Sequence, residues 1–112
     1  MVYKYCRFID LGETLKALGH PVRLCIMNKL LENGPSNVAT LQHCLHQPQS
    51  TISQHLKKLN TIGLINVMKN GLEHIYGING ELNLELINFI FDYNKKVKNL
   101  TLSSNNAVNF SN

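Results

Sequence analysis

The sequence predicts a small, mainly α-helical domain carrying one β-hairpin, in the order helix, helix, helix, helix, hairpin, helix. Three observations lead there. Apolar residues recur at helical spacing over most of the chain. Proline and glycine interrupt that pattern at intervals suited to helix starts and stops. One Asn70-Gly71 pair separates two short runs that read as strands.

The first helix is expected over 8–18, where Leu11, Leu15 and Leu18 share a face and Gly19 follows as a stop. His20-Pro21 opens the second, with proline at the first position, where no N–H is needed. That helix runs to about Glu32; Leu24, Ile26, Met27, Leu30 and Leu31 give it the broad apolar arc of an element covered on two sides. Asn33-Gly34-Pro35 ends it. Asn37 is placed to cap a short third helix that turns Val38, Leu41 and Leu45 inward. Gln47-Pro48 then opens a fourth helix, 49–62, whose buried stripe is Ile52, Leu56 and Leu59 and whose stop is Gly63. Strands are expected over 64–69 and 73–78. A last helix starts near Glu81. Leu82, Leu86, Phe89, Ile90, Tyr93, Val97 and Leu100 form one stripe along it, and Leu84, Ile87 and Phe91 a second. Glu81 and Glu85 early and Lys95, Lys96 and Lys98 late suit its dipole.

The 112 residues allow one core, expected within 1–100, with the Asn/Ser-rich end, 101–112, reading as a flexible tail. Hydrophobic residues at 44% and charged residues at 16% are those of a globular chain. No apolar run is long enough to span a membrane, and the first residues lack the pattern of a secretory signal. Cys6, Cys25 and Cys44 are odd in number and contain no C-x-x-C pair, which points to a reducing cytoplasm. A phosphate-binding Gly-rich loop, a nucleophile motif and paired catalytic acids are all missing, so an enzyme is not expected.

The net charge of +4 is unevenly spread: between Glu32 and Glu73 there is no acid, while Lys57, Lys58 and Lys69 lie inside that interval. A phosphate-facing surface needs such a gap, although chance in a sparsely charged chain would also leave one. The third and fourth helices, joined tightly, have the form of a helix-turn-helix whose second member enters the major groove of DNA. Base edges require short hydrogen-bonding side chains, and Gln49, Ser50, Thr51, Ser53, Gln54 and His55 provide them. Lys57 and Lys58 follow as phosphate contacts, and the hairpin becomes a wing offering Lys69 and His74. The plainer reading is a solvated Ser/Gln-rich helix; the element order, the acid-free interval and the turn chemistry together weigh against it.

Three stretches then carry a family resemblance: 17–24 (Ala-Leu-Gly-His-Pro-Val-Arg-Leu), 48–59 (Pro-Gln-Ser-Thr-Ile-Ser-Gln-His-Leu-Lys-Lys-Leu) and 63–65 (Gly-Leu-Ile). Over about 11–79 the sequence resembles the ArsR/SmtB repressors, and within them the metal-independent, PagR-like members. The resemblance implies a winged helix-turn-helix repressor that binds double-stranded DNA as a homodimer through its first and last helices, with no membrane association. The dimer residues would be Leu11, Leu15, Leu82, Leu86, Phe89, Ile90, Tyr93 and Val97.

The family's arsenic-type thiol pair would fall on Asn37 and Ala39, and its zinc-type site needs a histidine on the last helix, which has none. No metal and no cofactor is therefore expected. His43 and His46 share a face but Cys44 points elsewhere, so Cys44 is expected in the core. His46 stands where the family commonly has a turn glycine, which implies an altered turn. Cys25, on the polar side with Asn28, Lys29 and Glu32, leaves a redox-responsive repressor as an alternative. The hairpin lacks the family's arginines, which shifts affinity toward the fourth helix. A protein-interaction module that has lost specific DNA binding is the other alternative.

Overall fold

A computed structural model describes the backbone of residues 2–107 and the side chains of residues 7–101. Its elements are α1 (Val2–Leu18), α2 (Pro21–Asn33), α3 (Val38–Leu45), α4 (Gln49–Thr61), β1 (Ile65–Asn70), β2 (Glu73–Ile78) and α5 (Gly80–Ala107). This is the winged helix-turn-helix order expected from the sequence.

Two helices are longer than expected. α1 begins at Val2 instead of Phe8, because no proline or glycine before Gly12 offers it a stop. α5 continues past Leu100 to Ala107; the remainder of the expected tail, 108–112, lies outside the described residues.

Local chemistry sets the other boundaries. His20 caps α2 through Nδ1, which accepts from the Val22 N–H at 3.1 Å. Asn37 caps α3, its Oδ1 accepting from the Thr40 N–H at 2.8 Å. His46 ends α3 in the left-handed region, φ 54° and ψ 40°, with its N–H donating to the Gln42 carbonyl at 2.9 Å. It is the one non-glycine at positive φ among the described residues, so the altered turn expected there is a histidine doing a glycine's work at a steric cost.

β1 and β2 pair antiparallel from Ile65↔Ile78 to Asn70↔Glu73. The turn is therefore Gly71-Leu72, one residue later than expected. With Gly71 at φ 67° and Leu72 not at positive φ, it has the pattern of a type II′ turn, which puts glycine first. Asn70 joins the strand as a result, and β1 spans 65–70 instead of 64–69. Ser36 adds an isolated bridge to β2: its N–H donates to the Tyr76 carbonyl at 2.9 Å and its carbonyl accepts from the Tyr76 N–H at 2.8 Å.

The core lies where α2, α3, α4 and the base of the hairpin meet, filled by Ile26, Met27, Leu30, Leu41, Ile52, Leu56, Leu59, Leu64 and Ile65. α5 adds Ile87, fully buried, and packs Leu86, Ile90 and Phe91 against the same cluster. Beyond that point it projects: 28 helical residues reach about 42 Å. The radius of gyration is 16.9 Å, against about 13 Å for a compact chain of this size.

Candidate nucleic-acid interface

α4 is fixed from beneath. Ile52, Leu56 and Leu59 are fully buried on one face, so the opposite face is aimed outward without freedom to roll. That outward face presents Gln49, Ser50, Ser53, Gln54, Lys57 and Lys58, all exposed. Pro48 precedes the helix without a side-chain cap, so the N–H groups of its first turn face outward unoccupied by a side-chain acceptor.

Two of the expected base readers sit differently. Thr51 is half-buried on the flank of α4. His55 is half-buried too, because it stands three residues after Ile52 and four before Leu59, on the flank of the buried stripe. Its ring packs on His20 with centroids 4.5 Å apart and planes tilted by 54°. Burial, and then the neighbouring positive fields of His20 and Arg23, hold the His55 pKa below its ordinary value. His55 thus joins α4 to the start of α2 instead of pointing outward with Gln54.

Arg23 was not singled out by sequence reasoning. It reaches α4 from the first turn of α2 and lines, with Gln54, His55, Lys57, Lys58 and Thr61, a shallow depression of about 450 Å³. Its Nε is buried with no hydrogen-bond partner among the described residues. A signal was present in the sequence: a cation in the first turn opposes the helix dipole, and no acid stands at i+3 or i+4 to explain it.

The hairpin offers less charge. Lys69 and His74 stand directly opposite one another, both exposed. Val67, Met68 and Leu72 are exposed apolar neighbours. Glu73 is drawn to one side, its Oε2 accepting from the Asn37 Nδ2 at 3.1 Å, so Asn37 caps α3 and tethers the wing at once. At the other end of the hairpin, the Asn79 and Asn83 side chains each donate to the Gly63 carbonyl at 3.0 Å, tying the stop of α4 to the start of α5.

Among the described residues, no three His, Cys, Asp or Glu side chains gather to hold a metal ion. His43 and His46 are exposed, and Cys44 is half-buried instead of fully within the core. Cys25 is exposed, and Lys29 on the same side of the helix is paired with Glu32 at 3.4 Å. The cysteine opens onto a groove between α2 and α5 lined by Leu24, Ile90, Phe91 and Tyr93. Among the described residues, no helix is long and apolar enough to cross a membrane.

Residues 20–67 match the family model described as bacterial regulatory protein, arsR family. The chain is 40% identical over 76 residues to the transcriptional repressor PagR of Bacillus anthracis, covering 68% of this chain and 76% of that one. The crystal structure of PagR superposes with a TM-score of 0.68 at 36% identity, over 77% of this chain and 98% of that one. An arsenical resistance operon repressor of Staphylococcus xylosus is 35% identical over 85 residues, covering 70% of this chain and 81% of the relative. A solution structure of a Mycobacterium bovis domain, described as a homodimeric winged helix-turn-helix DNA-binding domain, superposes with a TM-score of 0.76 at 25% identity. That superposition covers 83% of this chain and 85% of the other.

Proposed function

The chain belongs to the ArsR family of bacterial regulatory proteins, which are DNA-binding transcription regulators and not enzymes, and we propose that it represses transcription as a homodimer that needs no metal effector. The observation that carries this is the outer face of α4: amide, hydroxyl and ammonium groups without an acid, held rigid by three fully buried side chains. Gln49, Ser50, Ser53 and Gln54 read base edges, Lys57 and Lys58 take phosphates, and Lys69 and His74 touch the neighbouring backbone from the wing. Thr51 and His55 contribute from the flank.

Dimerisation is supported by apolar surface that one chain leaves open. Leu82 is 78% exposed, Phe89 68% and Tyr93 62% on α5, and Leu11 and Leu15 are more than half exposed on α1. Large apolar side chains left exposed in a row along a helix mark an interaction surface. Leu86 and Ile90 belong to the edge of that face, since they also pack on the chain's own core. The domain so formed is residues 1–100, acting in the cytoplasm.

Metal independence is supported by the residues at the two positions matching the arsenic-type thiols. Ala39 has no ligand atom, and Asn37 is occupied by the Thr40 N–H and Glu73. The test is retardation of an operator duplex by the dimer while zinc, cadmium or arsenite is titrated in. Expected is a complex that survives stoichiometric metal; release at one equivalent per protomer would contradict the reading.

A further inference from the structure

We propose that the depression between the first turn of α2 and the outer face of α4 is a binding site for one phosphate of the DNA backbone, held by Arg23 and Lys58. The inference rests on the DNA-binding reading and adds to it a contact from outside the helix-turn-helix and the wing.

The lining is Arg23, Gln54, His55, Lys57, Lys58 and Thr61, with no carboxylate among them. On the far side of Arg23 and Lys58 lies a second, smaller hollow shared with Glu13 and Lys16. Glu13 lines that second hollow with both cations, yet no ion pair within 4 Å joins it to either among the described residues. Two cations are thus brought to one hollow by different helices, α2 and α4, with no acid in ion-pair contact with either among the described residues.

Arg23 is the telling member. Burying a charged donor without an acceptor is costly, and native proteins seldom tolerate it unless water, a ligand or an ion completes the bond. Its Nε is buried and unpartnered. The guanidinium presents donors in a planar fork that matches two oxygens of one phosphate. His55, whose ring packs on His20, forms one wall of the hollow. Burial, and then the positive fields of His20 and Arg23, disfavour the charged form of His55, so the two cations of the site are Arg23 and Lys58.

Position gives the site its use. Gln54 lines the same depression, so a phosphate seated there fixes how deep and in what register the base-reading face of α4 enters the groove. Arg23 is then a phosphate ligand that sets the pose of Gln54.

The experiment uses the full chain and its selected operator in a salt series, with duplexes carrying a single neutral methylphosphonate at each backbone position in turn. Arg23→Gln and Lys58→Gln are each expected to weaken binding roughly tenfold or more and to flatten the salt dependence by about one charge. One methylphosphonate position is expected to weaken the wild type strongly and Arg23→Gln distinctly less, because only Lys58 then remains to contact that phosphate. Should Arg23→Gln fail to fold, Arg23→Lys keeps the charge and loses Nε. It is expected to bind more weakly with an unchanged slope, and wild-type affinity would overturn the site. A folded Arg23→Gln with the wild-type slope and position profile overturns the site alone. A wild type that binds no duplex overturns both the site and the DNA-binding reading.

Discussion

α4 and the β1–β2 hairpin are the two elements proposed to meet DNA, and they are held in different ways. α4 sits on three fully buried side chains, so its outer residues are aimed by the core. The hairpin commits Ile65, Leu64 before it and Gly77 to the interior, packs Tyr76 and Ile78 against the core, and leaves β1 exposed from Asn66 onward. It is steadied by polar ties: the Ser36–Tyr76 bridge on one edge and Asn37 to Glu73 near the tip. Core packing fixes the direction of side chains, whereas polar ties position a flap. The division of charge follows the same line, with Arg23, Lys57 and Lys58 around α4 and Lys69 alone as a permanent cation on the hairpin.

Breaking the support under α4 gives the largest expected effect. Leu56→Ala removes a fully buried side chain and is expected to destabilise the fold by about 2–5 kcal/mol. Met68→Ala on the hairpin is expected within about 0.5 kcal/mol of wild type. Urea unfolding of both variants measures the contrast; similar losses would mean that the hairpin is as well anchored as the helix.

The next effect is electrostatic. Lys57→Ala is expected to weaken operator and scrambled duplex alike and flatten the salt dependence by about one charge. Lys69→Ala is expected to do the same to a smaller extent, because the hairpin is tethered less firmly. A salt series on both duplexes ranks them, and a larger loss from Lys69→Ala would reverse the comparison.

The smallest effect concerns the flank of α4. His55 has a pKa below its ordinary 6.5 in the folded chain, through burial first and then His20 and Arg23. The unfolded chain therefore takes up a proton there more readily than the folded one. The stabilising contribution is present above 6.5 and is lost as pH falls from there through the lowered folded value. His55→Gln is expected to lessen the fall in stability between neutral pH and about pH 5, measured by thermal unfolding at each pH. An unchanged pH dependence would show that other groups set it.

The fold was legible wherever local chemistry decides structure. Asn37 as a cap, Pro21 at a helix start, Gly63 as a stop and the strain at His46 are all properties of a few adjacent residues. What escaped depends on partners distant in sequence. The hairpin turn moved one residue because pairing registers Asn70 against Glu73, which the Asn-Gly signal alone does not fix. His55 reads as a groove-facing polar residue until α2 brings His20 beside it. Arg23, 31 residues before Gln54, joins the candidate site only through the packing of α2 on α4. Within the site, residue types were readable and directions were not.

Selection of bound duplexes from a random pool, run in parallel on the wild type and Gln54→Ala, tests most directly the claim that α4 reads bases for a two-fold symmetric dimer. The wild type is expected to enrich an inverted repeat with half-sites roughly one helical turn, or a multiple, apart. Gln54→Ala is expected to recover the same repeat with one position in each half-site relaxed, a loss of about 1–3 kcal/mol of discrimination. Enrichment of no sequence by the wild type, or an unrelaxed repeat from Gln54→Ala, would contradict it.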